Sequence, residues 1–471
     1  MAVTQLPPAG RPPADDRTRG VPRRGALRAS AGCPPSRPSP TAAPGRGPGG
    51  PPSRPRTRTL PMVPVRARGM VVEGADGRRY LDCLSGAGTP ALGHNHPVVL
   101  QAIREVHDSG TPLQGLDLAT PVQDAFAGEL RATLPPALAD HGRIWFCGPA
   151  GTDAVEAALT LVRTATGRDG LLTFPGAHPG TRTEAPWAPG GENDPGNGVR
   201  RSAGMLLEPP RSGRGNFPGV SPGRSPGGVA GGGVIPVPDG GRHRTREITA
   251  ARGIPLIAAE LHTGAGRTGS FWAIGHSGAV PDVMALSETI GGGLPLAAVV
   301  YHEDLEVRQP DAHAGAFRGN RLAMAAGAAT FAHIRENGLV ERAATLGERM
   351  LRRLRELAER PCIGEVRGRG LMLGLELVEP GTDAPEPGAP RPSAPALAAA
   401  VQRECLHRGL IVGLGGRDAA VVRLLPPLTV SDEQAEAVLD RLADAVEAAE
   451  RGAGTASGPH RPGLPPRRPG R

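Results

Sequence analysis

The chain has 471 residues, which is enough to bury a sizeable core and to form two or more structural domains. Its hydrophobic fraction of 38% is low for a globular enzyme, and its 69 glycines and 53 prolines approach the level typical of disordered chains. The formal charge is +8, and all 54 basic residues are arginines, whose excess lies in the Pro/Gly-rich ends. Only three Trp and two Tyr are available to stack on bases, so nucleic-acid binding is disfavoured.

The cysteines and the apolar runs exclude several further classes of protein. The five cysteines are far apart, odd in number and without CxxC spacing, which argues against a disulfide framework and against a zinc site. No apolar run approaches the length of a membrane span, and the N-terminus lacks the hydrophobic region of a secretory signal. We therefore expect a cytoplasmic protein without a membrane partner.

Folded structure is predicted to begin after residue 56. Residues 1–56 are dense in Pro, Gly, Arg and Ser and carry few periodic apolar residues, so they are predicted to be a disordered tail. Residues 57–115 are predicted to form the N-terminal part of a small domain. Within them, residues 70–82 predict two short strands around a turn rich in Asp and Gly.

A larger domain is predicted over residues 116–315. Residues 143–147 predict a strand, residues 148–153 form a small-residue turn, and apolar residues at helical spacing follow. Strand, turn and helix in this order are the basic unit of an α/β fold. Short apolar runs at 254–259 and 283–286 are typical of buried parallel strands.

The remaining ordered part, residues 316–450, is dominated by helical patterns. Residues 339–357 carry an apolar stripe at helical spacing, residues 370–377 predict a strand, and Ser431 opens the last helix in a capping box. Residues 451–471 return to the composition of a disordered tail.

Two internal segments are unlike a compact enzyme. Residues 176–203 hold little beyond Gly, Pro, Thr and charged residues, and residues 209–233 are a low-complexity insert in the larger domain. Long stretches of this kind inside a domain are normally active-site lids, disordered inserts or signs of a faulty sequence.

Several motifs follow one another in a fixed order over residues 57–449. The most specific lies at 146–158, where Gly151 and Thr152 open a predicted helix whose free backbone N–H groups suit a phosphate. The shorter motifs lie at 92–97, 264–269, 291–296, 317–320, 368–372 and 422–428. Together they resemble the class III pyridoxal-phosphate-dependent aminotransferases, in particular diaminobutyrate–2-oxoglutarate transaminases. The resemblance implies an α/β architecture of aminotransferase fold type I, a mostly parallel sheet with helices on both faces plus a smaller α/β domain from both chain ends.

The resemblance also implies pyridoxal phosphate as coenzyme, L-2,4-diaminobutyrate and 2-oxoglutarate as substrates, and a homodimer. The family's Schiff-base lysine is matched by Glu288, and a carboxylate cannot form an imine. The aspartate that keeps the pyridine nitrogen protonated is matched by Ala259, and neighbouring Glu260 is expected to point to the opposite face of the strand. Because the chain contains no lysine, covalent attachment of the coenzyme is predicted to be absent.

Other coenzyme contacts implied by the family are altered as well. The threonine that reaches the phosphate is matched by Ala316, the glutamine at the ring hydroxyl by His262, and the stacking aromatic by His178. Glu208 matches the family's glutamate, but the low-complexity insert follows it directly. Arg423 matches the arginine that binds a substrate carboxylate, a role that a planar guanidinium suits, although a structural role is equally open.

Plain structural explanations compete with functional ones at several of these positions. His94 and His96 are two residues apart in a loop without clustered Asp or Cys, which favours structural roles over metal binding. Glu288 is better explained by sequence drift than as a new catalytic acid, and the same holds for His262 and His178 as rebuilt ligands.

Three functional hypotheses follow from the sequence. The favoured one is a catalytically silent homologue of diaminobutyrate transaminase, either a pseudoenzyme or the product of a decaying or mis-framed gene. The second is a working aminotransferase that moves an amino group from L-2,4-diaminobutyrate to 2-oxoglutarate. The third is a non-catalytic interaction module, such as a partner of an active paralogue.

Overall fold

The computed structural model describes residues 60–114, 118–173, 202–207, 234, 236, 239–306, 317–385 and 390–456. Its helices are α1 (Pro97–Ser109), α2 (Pro121–Arg131), α3 (Pro136–His141), α4 (Gly151–Thr166), α5 (Asp239–Ala250), α6 (Arg321–Glu336), α7 (Leu339–Arg355), α8 (Pro395–His407) and α9 (Asp432–Ala456). Its strands are β1 (Pro64–Arg68), β2 (Val71–Gly74), β3 (Arg79–Asp82), β4 (Gly142–Phe146), β5 (Gly170–Thr173), β6 (Ser202–Leu207), β7 (Leu256–Ala259), β8 (Val283–Leu286), β9 (Ala298–His302), β10 (Ile363–Arg369), β11 (Met372–Leu377), β12 (Leu410–Ile411), β13 (Gly413–Gly415) and β14 (Val421–Leu424).

The central sheet has six strands in the order β4-β9-β8-β7-β6-β5. Strands β5 to β8 pair in parallel, whereas β9 runs antiparallel to both of its neighbours. The predicted fold class is confirmed: this is an α/β fold built on a mixed, largely parallel sheet.

Both faces of the central sheet are buried, as expected for parallel strands covered by helices. Successive residues of β7 enter different hydrophobic clusters: Leu256 and Ala258 pack on one side, and Ile257 and Ala259 pack on the other. The second cluster includes the buried face of α4. The period of two along a strand therefore fixes which side chains of β7 can face α4.

Two smaller sheets complete the architecture. One has the order β1-β2-β3-β12, and its last pairing joins β12 in parallel to β3, more than 320 residues away in sequence. The other is antiparallel, with the order β10-β11-β14-β13. The first of these sheets combines strands from both ends of the folded chain, as the resemblance implied.

Two sequence-based boundaries differ from what the structure describes. Helix α9 extends to Ala456, six residues into the predicted tail that began at 451. Strand β6 starts at Ser202, within the last residues of the segment 176–203 that lacked a folding pattern. The predicted domain boundaries otherwise remain predictions. In the described ranges, no helix combines the length and the apolarity needed to cross a membrane.

Candidate functional site

The N-terminus of α4 forms one wall of the site. Strand β4 ends at Phe146, and the chain turns through small residues to Gly151, the first residue of the helix. Asp153 in the first turn folds back, and its Oδ2 accepts a hydrogen bond from the N–H of Ala150 at 3.0 Å. Since Ala150 has no side-chain acceptor, this is one half of a capping box, and Asp153 places a negative charge at the positive end of the helix. Thr152 follows in the same turn and is half-buried.

Glu288, the residue at the predicted lysine position, lies against this helix start. It follows β8 by two residues, and its Oε1 would be 2.7 Å from a Cβ built on Gly151. A side chain at position 151 would therefore meet the end of this carboxylate, which would have to move aside. The Glu288 Oε2 atom is buried and finds no hydrogen-bond partner among the described residues. The structure thus brings Glu288 and Gly151, two of the predicted site residues, into contact.

Ala259 and Glu260 lie where the alternation of β7 predicts them. Ala259 ends the strand and packs in the hydrophobic cluster that includes α4. Glu260 is fully buried on the other side, where its carboxylate accepts hydrogen bonds from the N–H of Ile274 at 2.7 Å and from the hydroxyl of Thr263. Burial raises the pKa of Glu260, and these hydrogen bonds oppose that shift. The Glu260 carboxylate is committed to holding the 273–274 segment and does not replace the missing aspartate at 259.

His262 lies among three other charged groups of the site. Its ring still presents surface to solvent, but the protein atoms around it desolvate the protonated form and lower the pKa of the imidazole. The carboxylate of Glu288 acts in the opposite direction, whereas Arg423 and Arg267 lower the pKa further. These charges come from three parts of the chain, so we treat the four side chains as one candidate pocket.

Arg423 lies in β14, where its backbone pairs with Gly374 on one side and Gly413 on the other. A Cβ at Gly413 would lie 2.7 Å from Cδ1 of Leu84 but would make only ordinary contact with Arg423 Nη2, at 3.6 Å. Burial lowers the pKa of the guanidinium, and its Nε atom is buried without a hydrogen-bond partner in the part of the chain that the structure describes. Arg423 is thus held in place with hydrogen-bonding capacity left over, as a carboxylate-binding arginine would be.

Arg267 is a site residue that the sequence analysis did not single out. Its side chain is 1% exposed, and it donates to the carbonyl oxygen of Pro426 at 2.8 Å and to that of Gly88 at 3.2 Å. Burial lowers its pKa to about 10. An arginine among the glycines of the motif at 264–269 was the available signal. Arg267 ties together the segments around the pocket.

The two histidines considered as a metal pair serve different contacts. His94 Nε2 lies 2.8 Å from Asp82 Oδ2, whose other oxygen accepts the backbone N–H groups of Leu84 and Ser85. His96 packs instead on His333, with 4.8 Å between ring centroids. Within the described ranges no cluster of three or more His, Cys, Asp or Glu side chains could hold a metal ion.

Three predicted coenzyme contacts, His178, Glu208 and Ala316, lie outside the described residues. The remaining candidates divide between the two sides of the pocket: Gly151, Thr152, Glu288 and Ala259 belong to the central sheet and α4, and Arg423 belongs to the antiparallel sheet.

Comparison with known proteins assigns the family. The family model for class III aminotransferases matches residues 53–193 and 229–446, leaving between them a gap that covers most of the low-complexity insert. A diaminobutyrate–2-oxoglutarate aminotransferase of Rhizobium meliloti (strain 1021) is 42% identical over 437 residues, covering 83% of this chain and 89% of the relative. One of Haemophilus influenzae is 37% identical over 436 residues, covering 83% and 91%.

Solved structures agree at the level of the fold. A transaminase from the marine bacterium Virgibacillus superposes with a TM-score of 0.70 at 20% identity, over 84% of this chain and 94% of that one. The ornithine aminotransferase of Toxoplasma gondii gives a TM-score of 0.68 at 22% identity, over 84% and 92%. The ordered motifs, the architecture and these matches lead to one conclusion: the chain belongs to the class III aminotransferase family.

Proposed function

We propose that this chain is a catalytically silent homologue of the diaminobutyrate–2-oxoglutarate aminotransferases. The single observation that carries the proposal is the glutamate at position 288 in a chain that contains no lysine. The family implies pyridoxal phosphate, which is held as an imine by a lysine that also moves the reacting proton. A carboxylate can move a proton but cannot form an imine. No residue of the chain carries a side-chain amine.

The other residues of the pocket do not fit a covalently held coenzyme either. Ala259 offers no partner for a protonated pyridine nitrogen, and the Glu260 carboxylate is engaged with Ile274 and Thr263. The Glu288 carboxylate adds negative charge beside Gly151, where the coenzyme phosphate is expected. Gly151, Thr152 and Arg423 remain as elements that could hold an anionic group, so the losses concern the residues that attach the coenzyme and pair with its ring nitrogen.

A working aminotransferase is the second candidate, and one observation favours it. Arg423 is still anchored in β14 with a buried Nε that has no partner among the described residues, as a carboxylate-binding role requires. In that case the chain would act, as its relatives' names state, on diaminobutyrate and 2-oxoglutarate. The absence of every lysine weighs against this candidate, because Arg423 contributes to binding and not to imine formation.

We also propose that the protein is cytoplasmic and forms a homodimer. Leu113, Leu118 and Phe317 expose 40%, 66% and 72% of their surfaces. The first two lie next to the start of α6, where Arg321 bonds to their carbonyl oxygens. Phe317 precedes that helix by four residues. A group of large apolar side chains at one place is typical of a protein–protein contact.

Restoring the lysine tests the proposal. Glu288→Lys is expected to form an imine with added pyridoxal phosphate, seen as an absorbance band and, after borohydride reduction, as one covalent adduct at residue 288. Arg352→Lys is the matched control, because it places a single lysine at an exposed position of α7. Neither this control nor the natural protein should gain the specific adduct. An adduct in the natural protein would contradict the proposal.

The restored variant should still be a poor aminotransferase. Ala259 leaves the pyridine nitrogen without its acid–base partner, and the loss of one such positioned group costs on the order of 10²–10⁴ in rate. We therefore expect that Glu288→Lys binds the coenzyme but that efficient transfer also needs Ala259→Asp. The rate of glutamate formation from 2-oxoglutarate in the single and double variants measures the difference.

A further inference from the structure

Glu288 carries no amine, and its carboxylate also lies against Gly151 at the start of α4. We infer that Glu288 is a built-in anion at the N-terminus of α4, and that it excludes phosphate-bearing molecules from the first turn of this helix. The inference deepens the proposed function and rests on it, because it concerns the same pocket. It makes a separate claim, however: coenzyme binding is blocked by charge even where no imine is needed.

The first support is the fit of the side chain to the helix start. Helix α4 has 16 residues, so its N-terminus carries the full partial positive charge of a helix end. A Cβ on Gly151 would lie 2.7 Å from Glu288 Oε1 and 3.1 Å from Oε2, so both oxygens rest on this residue. The carboxylate therefore lies against the first residue of the helix, at a distance where it would repel a second anion bound to this turn.

The second support is the balance of charge around the helix start. Asp153 already places a carboxylate in this turn, bonded to the N–H of Ala150. A phosphate monoester brings a charge of about −1.5 to −2 at neutral pH, and it would meet Glu288 at contact distance. The neighbouring Arg267 already donates to two carbonyl oxygens, those of Pro426 and Gly88. Arg267 and Arg423 still bring positive charge to this part of the site, so the repulsion that the inference requires is the local one, between the phosphate and the Glu288 carboxylate in contact with Gly151.

The third support is that the glutamate fits this position imperfectly. Its Oε2 atom is buried and has no hydrogen-bond partner in the described part of the chain. A carboxylate selected for this position would satisfy both oxygens, because an unmatched buried acceptor is costly. Removing the Glu288 charge is therefore expected to let an anion that fits better reach the N–H groups of the first turn.

Removing the charge should therefore convert the chain into a non-covalent binder of phosphate compounds. The experiment is calorimetric titration of the full-length protein with inorganic phosphate and with pyridoxal phosphate, with phosphate-free pyridoxal as the comparison ligand. The variants are Glu288→Gln, which keeps the volume, and Glu288→Ala, which removes it. Glu348→Gln is the control, since it removes an exposed acid on α7.

Both variants at 288 are expected to bind inorganic phosphate and pyridoxal phosphate about tenfold more tightly than the natural protein, because a like charge is removed from a helix start that favours anions. Glu348→Gln should leave both affinities unchanged, and none of the changes should alter the binding of pyridoxal. Equal phosphate affinity in all four proteins, with the 288 variants shown to be folded by their thermal unfolding, would overturn the inference. That result would leave the proposed function intact, because the proposed function depends on the borohydride-trapped adduct and not on phosphate affinity.

Discussion

Gly327→Ala is expected to destabilise the fold by about 3 kcal/mol, because the added methyl group has no space. Gly327 lies in the middle of α6, and a Cβ there would overlap the carbonyl oxygen of Ile290 and lie 2.8 Å from Cε2 of Phe126. Ile290 is two residues beyond Glu288, so any relief of this overlap must shift the segment that carries Glu288. Urea unfolding of the variant and the natural protein measures the change in the free energy of unfolding.

Gly128→Ala is the matched control for this substitution. Gly128 is also inside a helix, α2, but a Cβ there would meet no atom within 4 Å. Alanine is the better helix former, so this change should raise the free energy of unfolding by about 0.5–1 kcal/mol. Similar effects of the two substitutions would contradict the close packing of α6 on the 288–290 segment.

Arg267→Met is expected to cost about 2–4 kcal/mol of stability, since it removes two hydrogen bonds from a charged donor and leaves buried carbonyl groups unmatched. The carbonyl groups belong to Gly88 and Pro426, which are 179 and 159 residues away in sequence. Loss of these two hydrogen bonds should therefore weaken the packing between segments that are distant in sequence, and not only a local turn. Arg352→Met, at an exposed position of α7, should change stability little.

Arg267→Met is also expected to change the pKa of His262. Arg267 is one of the charges that lower the pKa of this imidazole, so replacing it with a neutral side chain should raise that pKa. Titration of the His262 ring signals by NMR at a temperature where the variant is folded checks the direction. A pKa that stays constant or falls would contradict an electrostatic influence of Arg267 on His262.

Sequence reasoning was sufficient for the fold because local signals agreed along the chain. The short apolar runs at 254–259 and 283–286 became β7 and β8, whereas the turn predicted at 148–153 is shorter than expected, because α4 already begins at Gly151. The opposite directions of Ala259 and Glu260 also followed from sequence, since alternation along a strand is a local property. The parallel pairing of β12 with β3 could not be read in this way, because a two-residue strand has no pattern of its own.

Most members of the candidate site were predictable from the sequence, whereas their contacts were not. Glu288 and Ala259 stand out by their position in family motifs. That the Glu288 carboxylate rests on Gly151 depends on how β8 and α4 pack, which no local pattern encodes. Arg267 was missed because its partners are backbone carbonyl oxygens. Every residue type has such an oxygen, so the sequence does not show which ones an arginine will reach. Side-chain chemistry is visible in a sequence, whereas backbone partners require the fold.

The most direct test of the central claim is the mass of the natural protein after incubation with pyridoxal phosphate and borohydride, followed by removal of unbound coenzyme. For a silent homologue without a side-chain amine, the peptides of the folded region should all keep their unmodified masses. The peptide that contains residue 288 is among them. One pyridoxyl phosphate attached stoichiometrically to the folded protein, and lost on unfolding before reduction, would show that another group holds the coenzyme and would contradict the account.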